Sequence, residues 1–212
     1  MDIVLYYAPH TCALVPFVAL NEAGAAFRVE ALNFRKKQQM SEDYLRLNPR
    51  HKVPLLVVDG KPLTENPAMH VWIARTFPQA GLMPEDPWMF AQAVSVASWC
   101  ASGIHHYLSA INSPLKSCDA PGSEDSVKRL AHAGLDENFA IADRMLAGRE
   151  FLFDRFSTAD AHLFWCLRRA GQLSYDVDRW KNCKSFFGRI SERPSVQNVL
   201  NFEKETLARF AS

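Results

Sequence analysis

The sequence has no long hydrophobic run, no block of like charge and no basic leader segment. No apolar stretch approaches the roughly 20 residues that a helix needs to span a bilayer. No basic segment followed by an apolar core precedes the first strand pattern, so we expect a cytoplasmic protein that does not contact membranes. Lys and Arg total 24 against 23 Asp and Glu. Because this balance creates no strong field of either sign, it argues against a nucleic-acid partner.

Cysteine is present, but without the spacing that cysteine motifs need. The five cysteines are Cys12, Cys100, Cys118, Cys166 and Cys183. An odd number, in a protein expected to stay inside the cell, predicts reduced thiols rather than a disulfide framework. No two of them form a CxxC pair or stand at the spacing of zinc ligands. The sequence therefore predicts no metal site.

The first part of the chain alternates between strand and helix patterns. In chain order, the predicted elements are strand 3–7, helix 12–23, strand 27–32, helix 41–47 and strand 53–58. Asp59-Gly60 then predicts a tight hairpin turn into a fourth strand, and a further helix starts near Pro67. The closing hairpin must be antiparallel, whereas a strand–helix–strand unit is parallel. This order therefore predicts an α/β domain over 1–77 with a mixed four-stranded sheet.

Strand patterns disappear in the rest of the chain. Residues 78–87 are interpreted as a linker because they contain three prolines and a glycine, namely Pro78, Pro84, Pro87 and Gly81. From 88 to 212 apolar residues recur only at helical spacing, which predicts an all-α second domain over 88–212. Within it, Ser157 and Asp160 stand at the spacing of a capping box, which predicts that a helix begins there.

Cys12 stands where the first strand gives way to the first helix. Backbone N–H groups at a helix N-terminus, and the positive end of the helix dipole, both favour an anion. This position predicts a bias of Cys12 towards the thiolate, which is the nucleophilic form. A helix end contributes only ~0.3–1 kcal/mol at an exposed site, and one pKa unit corresponds to ~1.4 kcal/mol. Full ionisation would therefore need further hydrogen-bond donors.

Six segments, in a fixed order along the chain, carry a family resemblance. They are Leu5-Tyr6-Tyr7-Ala8-Pro9-x-x-Cys12, Ser41-Glu42-Asp43-Tyr44-Leu45-x-Leu47-Asn48-Pro49, Val53-Pro54-Leu55-Leu56, Leu63-Thr64-Glu65-Asn66, Ser157-Thr158-Ala159-Asp160-Ala161-x-Leu163-Phe164 and Glu192-Arg193-Pro194-x-Val196. With these segments the chain resembles the glutathione S-transferases, in particular their bacterial beta-like class, which uses a cysteine. The resemblance implies a thioredoxin-like α/β N-terminal domain, an all-α C-terminal domain, glutathione as thiol substrate, a role in detoxification and a homodimer.

The resemblance also implies roles for residues of the first domain. Cys12 is expected to contact the glutathione sulfur. Pro54 resembles a cis-proline that turns Val53 outward, so that its backbone pairs with glutathione as an added strand would. Glu65 and Asn66, at the start of a helix, are expected to hold the γ-glutamyl amine and carboxylate.

Two lysines and two histidines complete the predicted site. Lys52 matches the position whose side chain reaches the glycyl carboxylate, and Lys36 is a second candidate for that contact. His105 and His106 stand where similar proteins have His-Lys. The resemblance places their helix near the glutathione sulfur. His105 is therefore a candidate proton carrier near neutral pH, and His106 a further glutathione contact.

Three departures from the family pattern leave three functions open. Ala13 follows Cys12 where the class often has Ser, Asn66 replaces Ser, and His106 replaces Lys. The first function is conjugation of glutathione to a small apolar electrophile. The second is thiol–disulfide exchange, or reduction of glutathionyl conjugates, with Cys12 as a covalent nucleophile. The third is a binding or scaffold protein that has the glutathione transferase fold but little turnover.

Overall fold

Four short strands form one mixed sheet in the computed structural model, which describes residues 1–211. The strands are β1 (Ile3–Tyr7), β2 (Arg28–Ala31), β3 (Leu55–Val58) and β4 (Lys61–Thr64), in the spatial order β2-β1-β3-β4. Strands β1 and β2 are parallel, with Leu5 opposite Val29. Strand β3 runs antiparallel to both β1 and β4. The predicted thioredoxin-like α/β architecture of the first domain is thereby confirmed.

The turn between β3 and β4 shows why the sequence predicts this sheet well. Asp59 and Gly60 have φ angles of 46° and 78°. Two consecutive positive φ values define the type I′ turn, whose twist matches that of the strands it joins. Local turn chemistry therefore sets the register of the hairpin, in which Leu56 faces Leu63.

Helices make up most of the remaining chain. In chain order the α-helices of the described residues are α1 (Leu14–Glu22), α2 (Glu42–Leu47), α3 (Asn66–Thr76), α4 (Pro87–Trp99), α5 (His105–Asn112), α6 (Glu124–Met145), α7 (Thr158–Gln172), α8 (Lys181–Ser191) and α9 (Pro194–Ala211). One π-helical turn, Cys100–Ile104, joins α4 to α5, and apolar periodicity did not distinguish it from α-helix. Among the described helices, none has both the length and the apolar composition needed to cross a membrane.

The chain divides into two units, and the division differs from the predicted domains at the C-terminus. Unit 1 comprises Met1–Pro87 together with the segment that starts at Glu192, and unit 2 comprises Trp88–Ser191. The sequence assigned all of 88–212 to one helical domain, whereas the structure groups α9 with the sheet. Helical periodicity identifies α9 as an amphipathic helix, but it does not say which surface covers the apolar face.

Aromatic packing and an ion pair explain why α9 belongs to unit 1. The ring of Phe202 packs edge-on against Tyr7 and Phe17, at centroid distances of 5.8 and 5.2 Å. Arg193 donates two hydrogen bonds to the carboxylate of Glu22, at 2.9 and 2.8 Å. Both groups are largely shielded from solvent, and two-pronged arginine–carboxylate contacts are among the stronger polar interactions in proteins. These contacts connect both ends of the unit-1 sequence.

Helix α7 forms the centre of unit 2. Every residue from Thr158 to Leu167 is buried, so this helix is covered on all sides. The predicted capping box at its start is confirmed. The carboxylate of Asp160 accepts hydrogen bonds from the backbone N–H groups of Ser157 and Leu152, each at 2.8 Å. Burial nevertheless raises the pKa of Asp160 to about 6.

Candidate functional site around Cys12

Cys12 lies in a tight turn between β1 and α1. The hydroxyl of Thr11 donates to the carbonyl of Ala8 at 2.6 Å, which closes the turn. Helix α1 begins at Leu14, and the Cys12 carbonyl accepts an early N–H of this helix, that of Val15, at 3.1 Å. Cys12 therefore lies just before the first helical residue, close to the predicted position at the helix N-terminus.

The Cys12 thiol is buried against the segment that carries the cis-proline. Only 8% of Cys12 is exposed, and its Sγ donates to the carbonyl of Val53 at 3.8 Å. Burial raises the pKa of Cys12 to about 12, and the charge of Glu65 acts in the same direction. The predicted bias towards thiolate is therefore wrong, because the cost of burying a charge outweighs the ~0.3–1 kcal/mol that a helix end contributes.

The segment that faces the thiol is held by two residues to which the sequence analysis assigned no role. The carbonyl of Lys52 accepts hydrogen bonds from the Tyr44 hydroxyl at 2.6 Å and from the Asn48 amide at 2.7 Å. Both donors are buried, and they lie in α2 and directly after it. The peptide bond between Val53 and Pro54 is cis. Helix α2 thus fixes the backbone that presents the Val53 carbonyl to the thiol.

Glu65 precedes α3 in a strained backbone conformation. Its φ and ψ angles are 72° and 123°, a region that costs a non-glycine residue about 1–3 kcal/mol. The Glu65 side chain is exposed and pairs with Arg50, with 2.5 Å between Oε1 and Nη1. No sequence pattern predicted this contact with Arg50. An exposed ion pair is worth at most ~1 kcal/mol, so the carboxylate is open to competition from a cationic group.

Asn66, the first residue of α3, points its side chain at Cys12. Its Nδ2 donates to the Cys12 carbonyl at 3.1 Å, and only 5% of the residue is exposed. Its Oδ1 is buried and accepts no hydrogen bond from the residues that the structure describes. The structure therefore brings Asn66 and Cys12 together. The Asn66 amide donates to the protein backbone, whereas the resemblance implied that it contacts the ligand.

A buried carboxylate, also missed from the sequence, supports the turn that carries Cys12. Glu203 of α9 is 2% exposed. Its Oε2 accepts hydrogen bonds from the Tyr7 hydroxyl at 2.6 Å and from the His10 backbone N–H at 2.8 Å. The His10 imidazole lies 3.6 Å from Oε1. The sequence contains one indication that Glu203 is buried. It stands four residues after the apolar Val199, so it lies on the apolar face of its helix.

The two predicted lysines lie at the surface of unit 1. Lys36 and Lys52 are both exposed. Lys36 belongs to a turn after β2, in which its backbone N–H donates to the Asn33 side chain at 3.2 Å. The Lys52 carbonyl is held by Tyr44 and Asn48. The positive charge of the Lys52 side chain slightly lowers the pKa of Cys12. Glutathione contacts from either lysine remain predictions.

The two predicted histidines open α5, in unit 2. The ring of His105 packs edge-on against Trp165, with 4.6 Å between the ring centroids. The Nδ1 of His106 lies 2.6 Å from the carbonyl of Ser102. Their roles in proton transfer and glutathione binding also remain predictions. Within residues 1–211, no cluster of three or more His, Cys, Asp or Glu side chains is arranged to hold a metal ion.

Comparisons with known proteins identify the family. Residues 1–75 match the family model described as the N-terminal domain of glutathione S-transferase. A glutathione S-transferase of Xanthomonas campestris pv. campestris, GST-4.5, is 31% identical over 204 residues, which cover 94% of this chain and 98% of that protein.

Solved structures extend the similarity to the whole fold. The structure of a sphingomonad glutathione S-transferase in complex with glutathione is similar, with a TM-score of 0.83 and 31% identity over 95% of this chain and 98% of that chain. The beta-class glutathione S-transferase of Sphingomonas chungbukensis also has a TM-score of 0.83, with 32% identity over 94% and 98% of the two chains. The chain therefore belongs to the glutathione S-transferase family.

Proposed function

We propose that this protein conjugates glutathione to a small apolar electrophile, and that Cys12 acts as a hydrogen-bond donor to the glutathione sulfur. One observation carries the proposal: the Cys12 thiol is buried, donates to the Val53 carbonyl, and has its pKa raised to about 12 by burial. A thiol that keeps its proton near neutral pH can turn its single S–H from the Val53 carbonyl and donate a hydrogen bond to a neighbouring thiolate, while the proton stays on Cys12. The sphingomonad relative that was solved with glutathione supports the choice of thiol substrate.

The expected size of this effect is sufficient for catalysis. A hydrogen bond to a charged acceptor is worth ~1.5–3 kcal/mol, and one pKa unit corresponds to ~1.4 kcal/mol. One donor would therefore lower the pKa of the glutathione thiol by about one to two units from a normal value of about 8.5. A large fraction of the bound glutathione would then be thiolate near neutral pH, and the thiolate is the nucleophile that attacks the electrophile.

The other predicted site residues of unit 1 bind the rest of the glutathione molecule. When glutathione binds, its γ-glutamyl ammonium replaces Arg50 as the ion-pair partner of the exposed Glu65 carboxylate. The N-terminus of α3 offers backbone N–H groups to the γ-glutamyl carboxylate. Lys52, with Lys36 as a second candidate, neutralises the glycyl carboxylate, and the backbone of Val53 pairs with the cysteinyl residue of the ligand.

Thiol–disulfide exchange is the competing function. In that reaction a Cys12 thiolate attacks a disulfide sulfur, a mixed disulfide forms, and the other half leaves as a thiolate. Because burial raises the pKa of Cys12 to about 12, very little of this thiol is ionised near pH 7. The burial of Cys12 therefore favours conjugation over exchange.

Two substitutions at Cys12 separate these functions. A serine hydroxyl can still donate a hydrogen bond but offers no thiolate near neutral pH, whereas alanine offers neither. Cys12→Ser should keep conjugation of 1-chloro-2,4-dinitrobenzene within several-fold of the wild type, and Cys12→Ala should lose about tenfold or more. Cys118→Ser, which changes an exposed cysteine of unit 2, is the matched control and should be unchanged.

The same proteins are assayed for reduction of hydroxyethyl disulfide with glutathione and for retention on immobilised glutathione. Efficient disulfide reduction that both Cys12 variants lose, together with negligible conjugation by the wild type, would replace the proposal with the exchange function. Retention without either activity would instead identify a binding protein with little turnover.

A further inference from the structure

Arg50 and Glu65 form an ion pair directly before α3. Oε1 of Glu65 lies 2.5 Å from Nη1 of Arg50, and 62% of each side chain is exposed. Within residues 1–211 this is the one hydrogen-bonded contact that either side chain makes. The second carboxylate oxygen of Glu65 and the other N–H donors of the Arg50 guanidinium are therefore available to a ligand.

The loop that carries Arg50 is fixed by the side chain of Asn48, which is 2% exposed. Oδ1 of Asn48 accepts the backbone N–H of Arg50 at 3.1 Å, and Nδ2 donates to the carbonyl of Lys52 at 2.7 Å. The backbone N–H of His51 donates to the Asn48 carbonyl at 3.0 Å. The Arg50 backbone therefore has a fixed place beside the segment that leads to Val53, and its exposed side chain can turn without moving the loop.

A carboxylate beside a guanidinium is complementary to an α-amino acid. The γ-glutamyl group of glutathione carries its ammonium and its carboxylate on one carbon atom, so the two charges are only a few ångströms apart. A carboxylate such as that of Glu65 attracts the ammonium, and the planar fork of a guanidinium binds a carboxylate through parallel N–H donors. The charges of Glu65 and Arg50 therefore have the signs and the closeness that this zwitterion requires.

We infer that Arg50 is a glutathione-binding residue that recognises the α-carboxylate of the γ-glutamyl group. The inference rests on the proposed function and adds a second ion pair to it. When the γ-glutamyl ammonium takes the place of Arg50 on Glu65, the released guanidinium turns to the adjacent α-carboxylate. The other oxygen of that carboxylate stays available to the N–H groups at the start of α3. Binding thus exchanges one ion pair within the protein for two with the ligand.

This exchange gives the site a preference for ligands that carry both charges. A ligand with the ammonium but no neighbouring carboxylate must separate Arg50 from Glu65 and offers the guanidinium no new partner. An exposed ion pair changes an equilibrium constant by up to about fivefold, so Arg50 should favour glutathione over such a ligand by about that factor. A guanidinium that only competed for Glu65 would instead weaken the binding of both ligands equally.

Calorimetry near neutral pH compares two ligands on each protein. One is glutathione, and the other is γ-aminobutyryl-cysteinylglycine, which keeps the ammonium, the thiol and the glycyl carboxylate but lacks the α-carboxylate. The measured quantity is the ratio of the two dissociation constants. In Arg50→Ala the preference for glutathione should fall about fivefold, mainly because the analogue binds more tightly once Glu65 is released from Arg50. Arg50→Lys keeps the charge but loses the planar fork, so its ratio should lie between those of Arg50→Ala and the wild type.

Arg46→Ala is the control, because Arg46 is an exposed arginine of α2 that pairs with Glu42 and Asp43. Its ratio should equal that of the wild type. A ratio that Arg50→Ala leaves unchanged would overturn the inference, whether both affinities move together or neither moves, and even if the protein conjugates glutathione. A lowered ratio in a protein without conjugating activity would support the inference and contradict the proposed function instead.

Discussion

Replacing Glu203 with alanine removes the acceptor that ties α9 to the turn before Cys12. Glu203 accepts one hydrogen bond from the Tyr7 hydroxyl and one from the His10 backbone N–H, and its carboxylate is 2% exposed. Each hydrogen bond to a charged group contributes ~1.5–3 kcal/mol. We therefore expect Glu203→Ala to lower the free energy of unfolding by about 3–6 kcal/mol, a large share of the 5–15 kcal/mol typical of folded proteins.

Urea denaturation followed by circular dichroism measures this loss. Glu203→Gln keeps one acceptor oxygen and nearly the same shape, so it should lie between the wild type and the alanine variant. Glu205→Ala is the matched control: Glu205 is an exposed glutamate of the same helix, and its replacement should change stability by less than about 0.5 kcal/mol. A Glu203→Ala variant that stays within about 1 kcal/mol of the wild type would show that the carboxylate does not support the turn.

Three further predictions concern pH and the ligand. Because the folded pKa of Asp160, about 6, lies above the ordinary 3.8, its contribution of roughly 3 kcal/mol is full below pH 4 and is lost as the pH rises through 6. The stability of the wild type relative to Asp160→Asn, measured in urea, should therefore increase from pH 7 to pH 4; a constant difference would contradict this. Glu65→Ala should weaken glutathione binding about tenfold or more in calorimetry, unlike the exposed control Glu42→Ala. His105→Ala should lower turnover more than glutathione affinity and reshape the pH profile between about 6 and 8; an unaltered profile would leave His105 with a structural role only.

Local patterns were enough for the order and type of the elements. The alternation of apolar runs and the Asp59-Gly60 turn predict the mixed sheet that the structure contains. These patterns succeed because strand periodicity, turn geometry and helix capping each depend on residues a few positions apart. The π-helical turn Cys100–Ile104 was missed because its apolar residues recur much as they do in an α-helix.

The assignment of α9 could not be made from the chain alone. Its apolar face is plain in the sequence, but the rings of Tyr7 and Phe17, on which Phe202 packs, lie far away along the chain. The same distance hides Glu203, whose partners are Tyr7 and His10. A buried carboxylate is stable only where the tertiary structure brings donors to it, and the sequence does not show where those donors lie.

Cys12 shows most clearly which properties follow from local sequence and which depend on tertiary packing. The sequence alone shows that a cysteine stands at the junction of the first strand and the first helix, and that the Val53-Pro54 and Glu65-Asn66 segments follow it in a family order. The burial of the thiol, its donation to Val53 and the hydrogen bond from Asn66 to the Cys12 carbonyl depend on the packing of the folded chain. The physical reason is that a helix end acts locally and contributes less than about one pKa unit. Desolvation depends on everything that packs around the sulfur, and at Cys12 it is the larger effect.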